Sequence, residues 1–505
     1  MIKTQPDQAN LGCPVENFIS KSKHDQYAML FNSGKFRTLL KKYISRIEFW
    51  ILILFIIRLI GITNPPLEIG HSWRQVTGLM VARNYLEVNS DILYPRVDDN
   101  EARSGIIGME FPVLNYMHFL SAKLFGYQHW YGRLINLIVS SIALFFFYKL
   151  IPYLGLNKRT AFFSTLLLGT SIWFAFSRKT MPDTFCISLS FIGIFSAVKY
   201  LENKRSLHLI LFTVFSSLAI LSKLPAGIYI IPVYLLLFNR HYTLNSKIIL
   251  AISSFIPFAL AYYWYFIWNT HLSDEFGFWY NIGSPLRVGF NEIVRNPGKT
   301  LDNFYFNSFS GYFAFLLFLI GLFFMIKHKE KRLIMVFSVL FSVFLVYIFK
   351  SGHFFYQHNY YIIPFVPVMA VVAGYTISLI KAKWVYIAIL VIAVGEGIAN
   401  QQHDFFVPEK ELYKLELEGI MDEISSRDDL ILINGNGNPQ LIYLSHRKGW
   451  NVSNESLQNA TFISDKIEKG CKFIVINKHT AGELMLPYHL EFASDDFLVY
   501  RTDPG

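Results

Sequence analysis

The chain has 505 residues, of which 53% are hydrophobic, 17% aromatic and only 16% charged, with a formal net charge of +10. Soluble domains carry about a quarter charged residues, so this balance excludes an ordinary soluble protein and points to a polytopic membrane protein. Nucleic-acid binding is excluded because the basic residues form short clusters between apolar runs, as orientation signals do; Cys13, Cys186 and Cys471 lie in separate segments and offer neither metal-site spacing nor a disulfide framework.

Residues 1–46 are polar and basic, so no cleavable signal peptide is expected there, and they are expected to form a cytoplasmic segment from which the first apolar run starts insertion. Windows of about twenty apolar residues, enough to cross about 30 Å of hydrocarbon, fall at 47–63, 132–153, 159–177, 182–201, 207–222, 225–239, 247–268, 309–326, 333–350, 359–380 and 383–400. These eleven spans predict a membrane domain over 47–402. With the N-terminus inside, the connections at 157–159, 202–205, 239–247, 327–332 and 381–383 all face the cytoplasm, and every one is basic.

The opposite, outer face then receives the 64–131 loop, the turns at Asp183 and Lys223, the 269–308 loop, the KSGHFFYQHNYY turn and the C-terminal tail. Groups from six distant parts of the chain thus meet at one membrane surface, as a site handling something polar requires. Within the first loop, VTGLMVARNYLE and VLNYMHFLSAKLFG have apolar residues at three- and four-residue spacing and predict two helices lying along the membrane. The tail over 403–505 alternates strand-like DLILING and KFIVINK with helix-like PQLIYLSHRKG and NESLQNATFISDKIEKG, which predicts a small extracytoplasmic α/β domain. Its Asn434-Gly435-Asn436-Gly437 is a tight turn and not a dinucleotide fingerprint, because the third glycine is missing.

Several residues could carry chemistry. Glu110, before Phe111-Pro112, reads either as a base or metal ligand or as a helix-start carboxylate. Asp183, after Met181-Pro182, reads as a helix cap or, with Arg178 and Lys179, as part of a phosphate site. Lys223 reads as a snorkelling lysine at a span end. His71, Trp73, Arg74 and Gln75 form a polar-aromatic cluster in which Arg74 could clamp a phosphate or pair with Glu68 or Glu110. His353, Tyr356, His358, Tyr360 and Tyr361 flank the tenth span; an aromatic belt accounts for the tyrosines but not for the histidines.

In order and spacing, PPLEIGHSWRQ, MEFPVLNYMHFLSAKLFG, SRKTMPDTF and LAILSKLPAG resemble four elements of the GT-C membrane glycosyltransferases. The likeness covers roughly residues 47–380 and is nearest to the branch of lipid A aminoarabinose transferases and protein O-mannosyltransferases, in a subgroup with a W-R-Q loop. It implies an α-helical polytopic fold of about eleven transmembrane helices with juxtamembrane helices on the outer face. It also implies transfer of a sugar from a polyprenyl-phosphate donor to a lipid, glycan or protein acceptor at the plasma membrane, with a bacterial inner membrane expected from composition. Glu110 and Asp183 fall on the family's acidic positions, and Lys223 on the cation that meets the lipid phosphate. Arg178, Lys179, Trp73, Arg74, Gln75, His353, Tyr356 and His358 complete the expected substrate contacts.

One departure matters. Better-known members carry an Asp-Glu pair before the loop arginine, whereas this chain has His71-Ser72-Trp73-Arg74. The base is then Glu110, Asp183 or His71. A divalent metal among Glu110, Asp183 and His71 or His271 is compatible with the residues, but no spacing dictates it. Two other classes compete: a transporter or flippase of a polar lipid, and a catalytically inactive membrane scaffold.

Overall fold

The computed structural model describes residues 42–278 and 283–502. The basic N-terminal segment therefore lies outside the described residues except for 42–46.

Helices occupy all eleven expected windows. In chain order the main ones are α1 (Ile47–Arg58), α2 (Ser72–Glu87), α3 (Val113–Phe125), α4 (Tyr131–Leu150), α5 (Lys158–Thr170), α6 (Pro182–Asn203), α7 (Ser206–Ser222), α8 (Val233–Leu237), α9 (Leu244–Tyr262), α10 (Tyr312–Lys327), α11 (Lys331–Ser351), α12 (Val366–Leu379) and α13 (Lys383–Ala399). Among the described residues, only four uninterrupted stretches are long and apolar enough to cross a membrane: Tyr131–Leu154, Pro182–Asn203, Leu244–Phe276 and Lys331–Ser351. Counting each of two sharply bent pairs as one span gives six. Eleven full-length spans are therefore more than the helices bear out, and the breaks have local causes. Pro225 and Pro232 remove backbone donors, so residues 224–237 split into a 3₁₀ turn and the five-residue α8. Pro364 likewise lies between a short 3₁₀ turn and α12, whose first turn carries Pro367.

The bundle core is continuous, and α12 runs through it between α5 and α10. Small residues set the approach: a Cβ on Gly374 would meet the Ser164 backbone nitrogen of α5 at 2.5 Å, and one on Gly321 would meet the Val372 carbonyl at 2.4 Å.

The two expected loop helices form as α2 and α3. α2 is covered on more than one side. Ten of its residues, from Gln75 and Val76 through Gly78–Tyr85, are buried, because one side packs on α3 and another on the C-terminal region. That region holds α14 (Leu417–Ile424), β1 (Leu430–Ile433), α15 (Gln440–Leu444), β2 (Lys448–Asn451), α16 (Ala460–Glu468), β3 (Cys471–Asn477), β4 (His489–Ala493) and β5 (Phe497–Arg501). The strands form one sheet in the order β2-β1-β3-β5-β4, parallel across β2-β1-β3 and antiparallel across β3-β5-β4. The expected strands are β1 and β3. One apolar cluster joins Val76, Leu79, Met80 and Val81 of α2 to Ile431, Tyr443, Val475 and Val499 of this region. The first loop and the tail thus share a core.

Candidate active site at the loop end of the bundle

α6 leaves the loop end of the bundle and α7 returns to it, so the first turn of one helix lies beside the last turn of the other. Asp183 sits in the first turn of α6, where the positive end of the helix dipole favours a carboxylate. Lys223 closes α7, where the negative end favours a cation. The two meet at 2.5 Å, with side chains only 4% and 12% exposed. The second carboxylate oxygen of Asp183, Oδ2, is buried without a hydrogen-bond partner.

A second ion pair faces the first. Arg74 lies in the first turn of α2, against the sign of its dipole, and donates to Glu110 Oε1 at 2.6 Å. Glu110 precedes α3, whose N-cap is Pro112, and it caps no helix through its side chain. Burial works to raise the Glu110 pKa, but the nearby charges of Arg74 and Lys223 outweigh it and hold the carboxyl below its ordinary range. Arg74 and Glu110 share a crevice with Thr180, Pro182 and Ser222, the neighbours of the other pair. Its cavity of about 20 Å³ has room for a water and not for a sugar.

Rings wall this site. Lys223 Nζ lies 4.9 Å from the centre of the Tyr360 ring and 5.4 Å from that of Tyr361, within cation–π range. His71 packs edge-on to Tyr360 at 4.9 Å, and His358 stacks on Tyr360 at 5.2 Å. His71 takes a left-handed backbone, φ 55°, as the residue before α2, a conformation costly for a non-glycine residue. Its Nε2 bonds Asn359 Oδ1 at 3.0 Å, which leaves Nδ1 as the acceptor nitrogen of a neutral ring. Burial first, and then the Lys179 charge, lower the His71 pKa, so the ring stays neutral near pH 7.

The structure thus brings together Glu110, Asp183, His71, Arg74, Lys223 and His358 from the expected set. Trp73 stands at the rim, 40% exposed and 6.4 Å from the His358 ring. Gln75 is buried and accepts from the Thr180 amide at 3.2 Å, tying α2 to the turn before Asp183. Arg178 and Lys179 lie alongside, but their donors are occupied. Arg178 donates to the carbonyls of Arg58, Ile60 and Asp404. Lys179 donates to Gly70 O at 2.8 Å and to Asp404 Oδ1 at 2.9 Å. His353 is directed at Glu292 and Tyr356 packs on the bundle core, so neither is brought to the ion pairs. Asn359 is the addition, and Tyr360 and Tyr361, read from sequence as an aromatic belt, wall the site instead; the signal was the density of ring and amide side chains in HNYY.

Among the described residues no three His, Cys, Asp or Glu side chains converge as metal ligands. His271 pairs instead with Glu275 at 3.1 Å, and Glu110 and Asp183 each already have an oxygen on a cation. Among the described residues, Glu110, Asp183, His71 and His271 do not converge on a divalent-metal centre.

Residues 110–266 match the family described as dolichyl-phosphate-mannose-protein mannosyltransferase. An uncharacterized protein of Aquifex aeolicus is 27% identical over 287 residues, and the match spans 54% of this chain and about half, 54%, of that relative. The crystal structure of ArnT from Cupriavidus metallidurans bound to undecaprenyl phosphate is similar with a TM-score of 0.55 at 11% identity, over 89% of this chain and 97% of the other. The oligosaccharyltransferase AglB from Archaeoglobus fulgidus, in complex with an inhibitory peptide and a dolichol-phosphate, is similar with a TM-score of 0.51 at 12% identity, over 85% and 69%. The chain therefore has the fold of the GT-C glycosyltransferases and is a multi-pass membrane protein.

Proposed function

We propose that this protein transfers a sugar from a polyprenyl-phosphate donor to a hydroxyl of a cell-envelope lipid, glycan or protein, at the outer face of a bacterial plasma membrane. The observation that carries the reading is the pairing of two buried carboxylates with two cations, Glu110 with Arg74 and Asp183 with Lys223, at the loop end of a bundle. The lipid phosphates named with the two solved relatives support the donor class.

Such a transfer needs a proton acceptor, cations for the departing phosphate and a water-poor setting. The acceptor oxygen attacks the anomeric carbon as the bond from that carbon to the phosphate oxygen breaks. The proton of the hydroxyl goes to Asp183 Oδ2, the carboxylate oxygen with free lone pairs. The electron pair of the broken bond leaves on the polyprenyl phosphate, whose charge Arg74 and Lys223 meet. Glu110 holds Arg74 in place until the phosphate takes it over. One direct displacement inverts the anomeric carbon, and the reaction needs no nucleotide.

The test is transfer of labelled sugar from a panel of polyprenyl-phosphate sugars to extracted envelope acceptors by the purified protein. Asp183→Asn should lower the rate by about 10²–10⁴-fold, the range of a general base. Glu110→Gln should chiefly weaken use of the donor. No transfer from any donor by folded protein would overturn the proposal in favour of a transporter or scaffold, and transfer indifferent to Asp183→Asn would overturn the assignment of Asp183 as the base.

A further inference from the structure

At the other end of the bundle lies a cavity that the proposed transfer does not use. It holds about 580 Å³, within the range of roughly 300–1,000 Å³ usual for ligand pockets. Phe147, Ile194, Leu236, Val336, Leu340 and Val371 represent its apolar walls, from α4, α6, α8, α11 and α12. Its innermost part, at Phe191 and Tyr229, lies beneath the candidate active site. Phe191 follows Asp183 by eight residues on α6, a separation of about 12 Å. Phe191 is buried in a stack on Trp173, and the Tyr229 hydroxyl is spent on the Pro364 carbonyl, so packed side chains close that end.

The opposite end of the cavity is polar and cationic. Arg240 and Arg332 line it together with Asn239 and Tyr242. Both arginines are exposed, and among the described residues neither has a carboxylate within ion-pair distance. Glu202, whose charge reaches Tyr242, is already held by Lys199 at 2.7 Å. Arg240 and Arg332 belong to the basic connections NRHYTLNSK and KHKEKR, which by the Lys/Arg bias face the cytoplasmic leaflet. An apolar slot between membrane helices, rimmed by unneutralised guanidinium groups at headgroup height, matches a molecule with an anionic phosphate and a hydrocarbon chain.

We propose that this cavity is a second lipid site, taking a hydrocarbon chain of an anionic phospholipid from the basic-side leaflet and holding its phosphate at Arg240 and Arg332. The site is separate from the donor site, on the far side of the Phe191–Trp173 stack, and its occupant stays unreacted.

The test is native mass spectrometry of the full chain in detergent, titrated with phosphatidylglycerol or phosphatidylcholine. The variants are Arg240→Gln/Arg332→Gln, which removes the cations, and Val336→Trp, which fills the slot. The wild type should prefer phosphatidylglycerol by about tenfold or more, given the usual strength of a cation on an anionic head. The double variant should lose that preference while still binding lipid, and Val336→Trp should lose the tightly bound lipid altogether. An unchanged preference in the arginine variant, or unchanged retention in Val336→Trp, would overturn the site. Displacement by undecaprenyl phosphate at equal concentration would reassign the slot to the donor chain, and displacement by millimolar inorganic phosphate would reduce it to an anion site. If Val336→Trp does not fold, the arginine variant decides alone, since its side chains are exposed.

Discussion

Lys223 is the residue whose removal should cost most beyond chemistry. Without it Asp183 is a buried carboxylate with no partner on either oxygen, and breaking such a pair typically costs about 3–5 kcal/mol. Lys223→Gln should therefore lower the unfolding midpoint clearly, and adding Asp183→Asn should restore part of the loss; a thermal-shift double-mutant cycle reads the coupling. The histidines give a different expectation. Burial, with His71, Lys223 and Arg74 next, pushes the His358 pKa down to about 4, and His71 is lowered as well. His358 gains no proton between pH 6 and 8, so the pH–rate profile of transfer should show no inflection from it there, and His358→Gln should leave its shape unchanged. Because the unfolded chain binds these protons near pH 6.5 and the folded site refuses them, stability should fall as pH drops from 6.5 toward 4. At this scale much of the site was legible: Glu110, Asp183, Arg74 and Lys223 announce themselves as charge in an apolar chain, and His71 as a polar ring beside them. What spacing could not decide was partnership. Glu68 was as eligible for Arg74 as Glu110, yet it goes to Arg133 at 3.2 Å. Arg178 spends its donors on carbonyls 118 to 226 residues away in sequence, which no local pattern reveals.

At the scale of helices, apolar windows located every segment because burial in a membrane demands continuous hydrophobicity. They could not tell a spanning helix from a broken one, since proline within an apolar run leaves hydropathy almost unchanged while interrupting the hydrogen bonds. The deep burial of α2 was illegible for another reason: its second apolar partner is supplied by the C-terminal region. Close helix approach, by contrast, rests on single glycines. Gly374→Leu would force α12 away from the α5 backbone, where even a Cβ would lie 2.5 Å from Ser164 N. A loss of about 3 kcal/mol or more is expected from such overpacking, read as a fall of several degrees in the melting temperature of the detergent-solubilised protein.

Over the whole molecule, the 64–131 loop is clasped by the C-terminal region through charge as well as apolar contact. Arg83 joins Asp98 at 2.7 Å and the Tyr443 carbonyl at 3.1 Å. His446 bridges Glu87 of α2 at 3.0 Å and Glu418 of α14 at 2.7 Å. Burial alone would lower the His446 pKa, but its two carboxylates raise it above the ordinary 6.5. The bridge therefore contributes fully below pH 6.5 and is lost as pH climbs through the raised value. The contribution is under about 1 kcal/mol, because both carboxylates are more than two-fifths exposed and screened by solvent. Amide exchange in α2 should accelerate between pH 6 and 9, after correction for the intrinsic rate, and His446→Gln should abolish that dependence. The shared core also has a consequence in time. Tyr443 follows Arg83 by 360 residues, so at about 5–20 residues per second the ribosome delivers it roughly 20–70 s after α2 has been made. Through that interval Val76, Met80 and Val81 have only part of their apolar surroundings. Completion of the loop that carries Arg74 and Glu110 is thereby tied to synthesis of the region around Tyr443, and a chain terminated before that region would present an unfinished loop to proteolysis before it could act on a substrate.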